Sequence, residues 1–222
     1  QFVAIEKQHI PTAYYAESTG IGKLLASFDA NEPRHIGVVG LGIGTLAATG
    51  GPVIATHYEI NPQVIELARK HFSFLRDCAA EQTIVTGDAR LSLEFEPPQQ
   101  FDVLVLDAFS GDAIPVHLLT SEALQVYLKH LKPNGVLACH ISNLHFNLKP
   151  VVAGLAAEQG LSVAFHRNAP DAQTAAMAAS WAMIARTPEC LAQALPNEET
   201  TPPTGRPIVW TDNRSNLLEV MW

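Results

Sequence analysis

The chain has 222 residues, enough for one domain with a substantial core, and its 47% hydrophobic and 16% charged residues are ordinary for a folded, water-soluble enzyme. With 22 acidic residues against 14 Lys and Arg, the formal net charge is −8, which excludes the basic footprint that nucleic acid requires and suits a cationic small molecule. Cys78, Cys139 and Cys190 form no C-x-x-C pair, so neither a zinc site nor a disulfide framework is expected, and a reducing, cytoplasmic setting is the simplest.

Residues 1–34 are expected to form an N-terminal segment packed on a nucleoside-binding core of residues 35–222. The first residue is a glutamine, which points to a fragment or processed product. Residues 12–28 (TAYYAESTGIGKLLASF) read as a helix or broken helix over the edge of a sheet. From Ile36 to Thr56 no residue is charged, a length that could span a bilayer, but its glycines and Pro52 divide it into strand, glycine loop and short helix. Apolar runs then alternate with helical patterns to the end of the chain. The predicted strands are 35–40, 52–59, 82–87, 101–107, 135–141, 161–166 and 180–186. The predicted helices are 61–72, started by Asn61-Pro62, then 120–131 and 148–159. This is the pattern of an α/β fold with a doubly wound, mostly parallel sheet of seven strands. Residues 196–207 are proline-rich and polar, a surface loop, and the last segment, with Trp210 and Trp222, is expected to dock on the body. Of the histidines only His140 and His145 lie close together, with no carboxylate beside them, so no metal is expected.

Gly40, Gly42 and Gly44 follow the first strand in VVGLGIGTLA and are expected to open a helix. Glycines there let the backbone approach a ligand. Glu59, Asp88 and Asp107 end the next three strands. Acids at strand carboxyl ends face the crevice where open α/β sheets bind ligands, although each can also cap a helix. The dinucleotide fingerprint wants a third small residue at position 45, where Thr45 stands. A sulfonium nucleoside suits three acids better, because its amine, ribose and cationic sulfur all favour acceptors and negative potential.

The run from the glycine loop through Glu59, Asp88 and FDVLVLDAFSGDAIPVHLLT resembles the spermidine synthase family of polyamine aminopropyltransferases. More narrowly it is similar to a divergent bacterial branch often fused to a membrane transporter-like region. PTAYYAESTGIG, HISNLHFNLKPVV and WTDNRSNLL look like that branch as well, so the resemblance covers residues 11–222. It implies a Rossmann-like, class I methyltransferase-type fold and a group donor that is decarboxylated S-adenosylmethionine or S-adenosylmethionine, with no metal. By position, Glu59 matches the ribose-binding acid, and Asp88 with Ala89 the adenine-side contact. Asp107 matches the aspartate that takes the proton of the attacking amine, Asp112 the neighbourhood of a second acid, and Tyr15 the tyrosine lining the amine pocket. Ile43 and Ala16 depart from the family, which carries in polyamine-making members an aspartate and a His or Gln at these places.

The implied reaction is displacement at a carbon bonded to sulfonium, with a small-molecule amine as acceptor. Asp107 is the expected proton acceptor, and Asp112 and Asp212 are candidates to hold the far end of a diamine, or to cap loops. His140 and Asn143 either shape the acceptor pocket or cap a loop, and Glu17 is either a core-facing acid near the cleft or, as expected first, a helix surface residue. Three functions fit: an aminopropyltransferase, a small-molecule methyltransferase favoured by Ile43, and a non-catalytic nucleoside sensor. The resemblance further implies a cytoplasmic protein or the cytosolic part of a larger membrane protein, associated with a membrane segment outside this chain, and leaves room for a homodimer.

Overall fold

The computed structural model describes residues 1–48, 53–78, 81–108, 115–195 and 207–222. Its strands are β1 (Arg34–Val39), β2 (Val53–Glu59), β3 (Glu81–Thr86), β4 (Phe101–Leu106), β5 (Leu131–His140), β6 (Ser162–Asn168) and β7 (Ala179–Ala185). They form one seven-stranded sheet in the order β3-β2-β1-β4-β5-β7-β6. The pairs from β3 to β5 are parallel, and β7 runs antiparallel to both of its neighbours. Every strand lies where an apolar run predicts it, because strands covered on both faces read as nearly continuous apolar sequence. β5 starts earlier than expected, since Leu131 pairs with Phe101 before the register shifts across Lys132–Gly135.

The helices are α1 (Gly20–Ala26), α2 (Pro62–His71), α3 (Phe74–Asp77), α4 (Ala89–Phe95), α5 (Ser121–His130), α6 (Lys149–Glu158) and α7 (Pro188–Ala194). Alternate residues of the central strands point to opposite faces. Leu104, Leu106, Leu137 and Cys139 meet α4, α5 and α6 on one face. Val103, Val105, Val136 and Ala138 join Trp181, Met183 and residues of α1 and α7 on the other. The sheet is therefore wound on both sides, and its fold is Rossmann-like. The uncharged tract from Ile36 is divided between β1, the glycine loop, a short turn and β2. Among the described residues no helix is long and apolar enough to cross a membrane.

Two of the expected helices need correction. Only Gly20–Ala26 of the 12–28 stretch is helical, because Thr19 caps it there, its Oγ accepting from the Gly22 amide at 3.3 Å. The residues before it form turns that wrap over Trp181. Nor does an α-helix follow the glycine loop over Thr45–Ala48, which is a single 3₁₀ turn. A helix begun at Thr45 would run at once into Gly50, Gly51 and Pro52, the residues that least favour one. Three further helices, α3, α4 and α7, have too few turns to show a clear period in the sequence.

The closing segment docks through Trp210, which is 1% exposed, while Trp222 is 74% exposed and does not pack as expected. Its path depends on Gly154 of α6, where a Cβ would lie 2.3 Å from the carbonyl oxygen of Ile208. Gly154→Ala gains about 1 kcal/mol of helix propensity but forces the backbone of the closing segment outward, at roughly 1–3 kcal/mol. The expected outcome in urea is a lower unfolding midpoint at unchanged slope. A raised midpoint would mean that the segment moves aside freely.

Candidate active site

β1 is the strand from which the chain departs in both directions, to β2 and β3 on one side and β4 and β5 on the other. The crevice outside such a switch point is where ligands of open α/β sheets lie. Here it holds a cavity of about 690 Å³, a volume typical of small-molecule sites. Gly40 and Gly42 form part of its wall, both at positive φ (93° and 54°), which glycine adopts without strain. A Cβ on Gly42 would meet nothing within 4 Å, so the backbone faces open space there. Gly44, also at positive φ, packs instead on Leu75.

Glu59, 8% exposed, lines the cavity. Its Oε2 accepts from the Leu41 amide at 3.0 Å and its Oε1 from the Asn61 amide at 2.9 Å. It thus fixes both the glycine loop and the start of α2, and each oxygen retains a lone pair for a ligand. Asp88 does two things as well. Its Oδ1 caps α4 by accepting from the Leu91 amide at 2.9 Å, and its Oδ2 faces Nε2 of His117 at 3.1 Å. Ala89 lies beside it on the wall.

Asp107 lines the cavity as well, its side chain 5% exposed. One oxygen accepts the hydroxyl of Tyr15, and the other faces Nδ1 of His140 at 2.8 Å. Nε2 of His140 lies 2.8 Å from Oγ of Ser142, which accepts the Ser180 amide and so has its proton free for the imidazole. With Asp107 ionised, this arrangement favours the tautomer carrying its proton on Nδ1. The imidazole is sandwiched between Tyr14 at 4.6 Å and Trp181 at 4.8 Å. Tyr15, Asp107, His140 and Ser142 therefore form one connected, oriented chain of polar groups along the wall.

The remaining sequence candidates divide. His140 faces the cavity, whereas Oδ1 of Asn143 accepts the amides of His145 and Phe146 and shapes the following loop. Asp212 is outside the cavity wall, held by Arg90 through two contacts of 2.6 Å and by the Thr120 hydroxyl. Asp112 lies outside the described residues. Glu17 is exposed, in a turn rather than on a helix. The sequence reading missed Tyr14, His117 and Ser142, which line the cavity. A single histidine within the apolar run IPVHLL is the signal that could have found His117.

Among models of known protein families none matches the chain. A polyamine aminopropyltransferase of Vibrio vulnificus is 31% identical over 115 residues, covering 49% of this chain and 38% of the relative. An N-terminal histidine N-methyltransferase of Emericella nidulans is 37% identical over 110 residues, 46% of this chain and 18% of the relative. The chain thus spans well under half the length of either protein. Among solved structures, a probable spermidine synthase from Corynebacterium glutamicum superposes with a TM-score of 0.61 at 19% identity, over 83% of this chain and 67% of that one. Human methyltransferase-like protein 13, in complex with SAH, gives 0.55 at 20% identity, over 78% and 86%. The fold is of the class I methyltransferase type. It is the fold of the S-adenosylmethionine-dependent transferases and methyltransferases, within which the resemblance to spermidine synthases is one branch.

Burial raises the phenol pKa of all four tyrosines above 10.0, with the charge of Asp107 adding at Tyr14 and Tyr15 and the hydrogen bond to Glu96 at Tyr58. Folded values above the unfolded ones mean that this stabilisation is complete below about pH 10 and is lost as the pH rises through the folded values. The folded protein should show clearly less tyrosinate absorbance near pH 10 than the unfolded chain, which there has about half its phenols ionised. On further titration the band should reach its full height only with the loss of far-ultraviolet dichroism. A full-height band while the dichroism is intact would contradict this packing.

Proposed function

We propose that the protein is a transferase with a sulfonium nucleoside of the S-adenosylmethionine type as group donor, and that it methylates a small-molecule nucleophile. The observation that carries this reading is the cavity itself. Three carboxylates, Glu59, Asp88 and Asp107, line it, with no Lys or Arg among its described lining residues. Such a wall attracts a cation and repels the pyrophosphate of a dinucleotide. The donor supplies an electrophilic carbon bonded to positively charged sulfur. Glu59 has lone pairs for two ribose hydroxyls, and Gly42 offers bare backbone to the nucleoside. Asp107 is placed to hold the proton of the incoming nucleophile, which must be uncharged to attack. Tyr15 and His140 fix the orientation of its carboxylate.

Methyl transfer is favoured over aminopropyl transfer by Ile43. Polyamine-making members of the spermidine synthase family carry an aspartate at this place for the aminopropyl nitrogen, and the apolar Ile43 lacks that anchor. Similarity to an N-methyltransferase supports the same choice. Aminopropyl transfer remains the second reading, on the observation that Tyr15 and Asp107 meet at the cavity, as the amine pocket of a spermidine synthase would require. Turnover with either donor eliminates a purely sensing role.

Two variants test the assignment. Glu59→Gln keeps the size of the side chain but weakens charge-assisted hydrogen bonds worth roughly 1.5–3 kcal/mol each, so calorimetry should show S-adenosylhomocysteine binding about tenfold or more weaker. Equal affinity in the folded variant would make Glu59 a structural clamp only. Asp107→Asn should keep donor affinity within several-fold and slow single-turnover transfer by roughly 10²–10⁴. The assay pairs S-adenosylmethionine, and separately its decarboxylated form, with a panel of amines. Transfer from the decarboxylated donor alone would replace the methyl reading by the aminopropyl one, and full activity of the variant would remove Asp107 from the chemistry.

A further inference from the structure

A second cavity, of about 570 Å³, lies between the N-terminal segment, α1 and the start of β1, with Ala48, Gln173 and Thr174 also in its wall, and Tyr15 forms part of the walls of both cavities. Its lining is largely apolar, with Phe2, Leu25 and Phe28 supplying the larger surfaces. Two cations, Lys7 and Arg34, and one acid, the exposed Glu17, complete it.

Arg34 is the unusual member. It is 6% exposed, yet among the described residues no carboxylate pairs with its guanidinium. Nη1 donates to the carbonyl of Leu25 and Nη2 to that of Asp29, each at 2.9 Å, and the plane lies over the Phe28 ring at 5.1 Å. These contacts explain its position at the end of α1 but use only two of its five N–H donors. Nε is buried with no hydrogen-bond partner among the described residues. A buried cation satisfied only by carbonyls and a ring lacks the compensation that burial of charge demands, and a carboxylate, whose two oxygens match adjacent guanidinium N–H groups, supplies it.

We propose that this second cavity binds a small amphipathic carboxylic acid, its carboxylate on Arg34 with Lys7 nearby and its apolar body against Phe2, Leu25 and Phe28. A single negative charge fits the wall, because Glu17 offsets one of the two cations and disfavours a dianion. The occupant touches Tyr15, the residue that also holds Asp107. The proposal does not depend on the identity of the group donor, and its test uses none.

Calorimetry of the chain with octanoate, octan-1-ol and octyltrimethylammonium separates charge from apolar burial. Octanoate is expected to bind at least tenfold more tightly than the alcohol, and the cation not at all. Arg34→Met should bring octanoate down to the level of the alcohol. Because Arg34 also braces two carbonyls, Ala26→Trp serves as a second variant. Ala26 lines the cavity from an exposed position, and the indole should abolish binding of octanoate and octanol alike. Absence of octanoate binding, equal affinity for acid and alcohol, or unchanged octanoate affinity in folded Arg34→Met or in Ala26→Trp would each overturn the proposal.

Discussion

Where β1 ends, the backbone of Gly40 passes so close to β4 that a Cβ would lie 2.3 Å from the carbonyl oxygen of Asp107, and any other residue would push the two strands apart. The amides on either side hold that approach. Gly40 donates to the carbonyl of Tyr58 at 2.8 Å, Asp107 to that of Val39 at 2.9 Å, and Gly87 to that of Glu59 at 3.0 Å. The ends of β3, β2, β1 and β4 are thereby locked in one line, and the three acids that follow or end β2, β3 and β4 are delivered to a single crevice. The clamp of Glu59 on the Leu41 amide works only because this line is fixed. A displaced β1 would leave a buried carboxylate without its donors, which costs several kcal/mol.

The opposite wall has a different origin. It depends on the N-terminal segment, which reaches the site through aromatic stacking rather than through regular structure. Tyr14 stacks on His140, His140 stacks on Trp181, and Nε1 of Trp181 donates back to the carbonyl of Tyr14 at 3.2 Å. Gly20 makes room for this, since a Cβ there would lie 2.8 Å from that of Trp181. The side chains that orient Asp107 thus come from the turn before α1, from β5 and from the loop after it, and Trp181 on β7 supports them. The same turn carries Tyr15 into contact with the second cavity. Packing of the N-terminal segment and the orientation of the acid are one event.

The sheet was legible in the sequence because central parallel strands are buried on both faces and read as apolar runs. The three acids were legible because strand ends in such folds have few alternatives. What could not be read were contacts between residues far apart in the chain. His140 lies 33 residues from Asp107, and only the register of β4 with β5 brings them together. Asp212 looked available because its partner, Arg90, lies 122 residues away on α4. Arg34 stands directly before the expected strand 35–40, and only the fold shows it buried with no carboxylate partner among the described residues. The helix expected after the glycine loop failed for a local reason, the run TGGP, which the pattern of three glycines before it obscured.

That missing helix bears on what the cavity can recognise. A full α-helix beginning at the glycine loop would present unpaired amides and about half a positive charge to the ligand, the arrangement that holds pyrophosphate in dinucleotide sites. A single 3₁₀ turn over Thr45–Ala48 offers much less of either. The balance of potential then falls to Glu59, Asp88 and Asp107, against which His117 and His140 are the only basic side chains among the described lining residues. A ligand that carries positive charge and no phosphate is the one that such a wall stabilises. Each acid is also engaged by its own partners: backbone amides at Glu59, an amide and an imidazole at Asp88, a phenol and an imidazole at Asp107. Capping a neighbouring element and facing the cavity are therefore not rival roles for these residues. The hydrogen bonds that make each acid a structural element also hold it at the cavity wall.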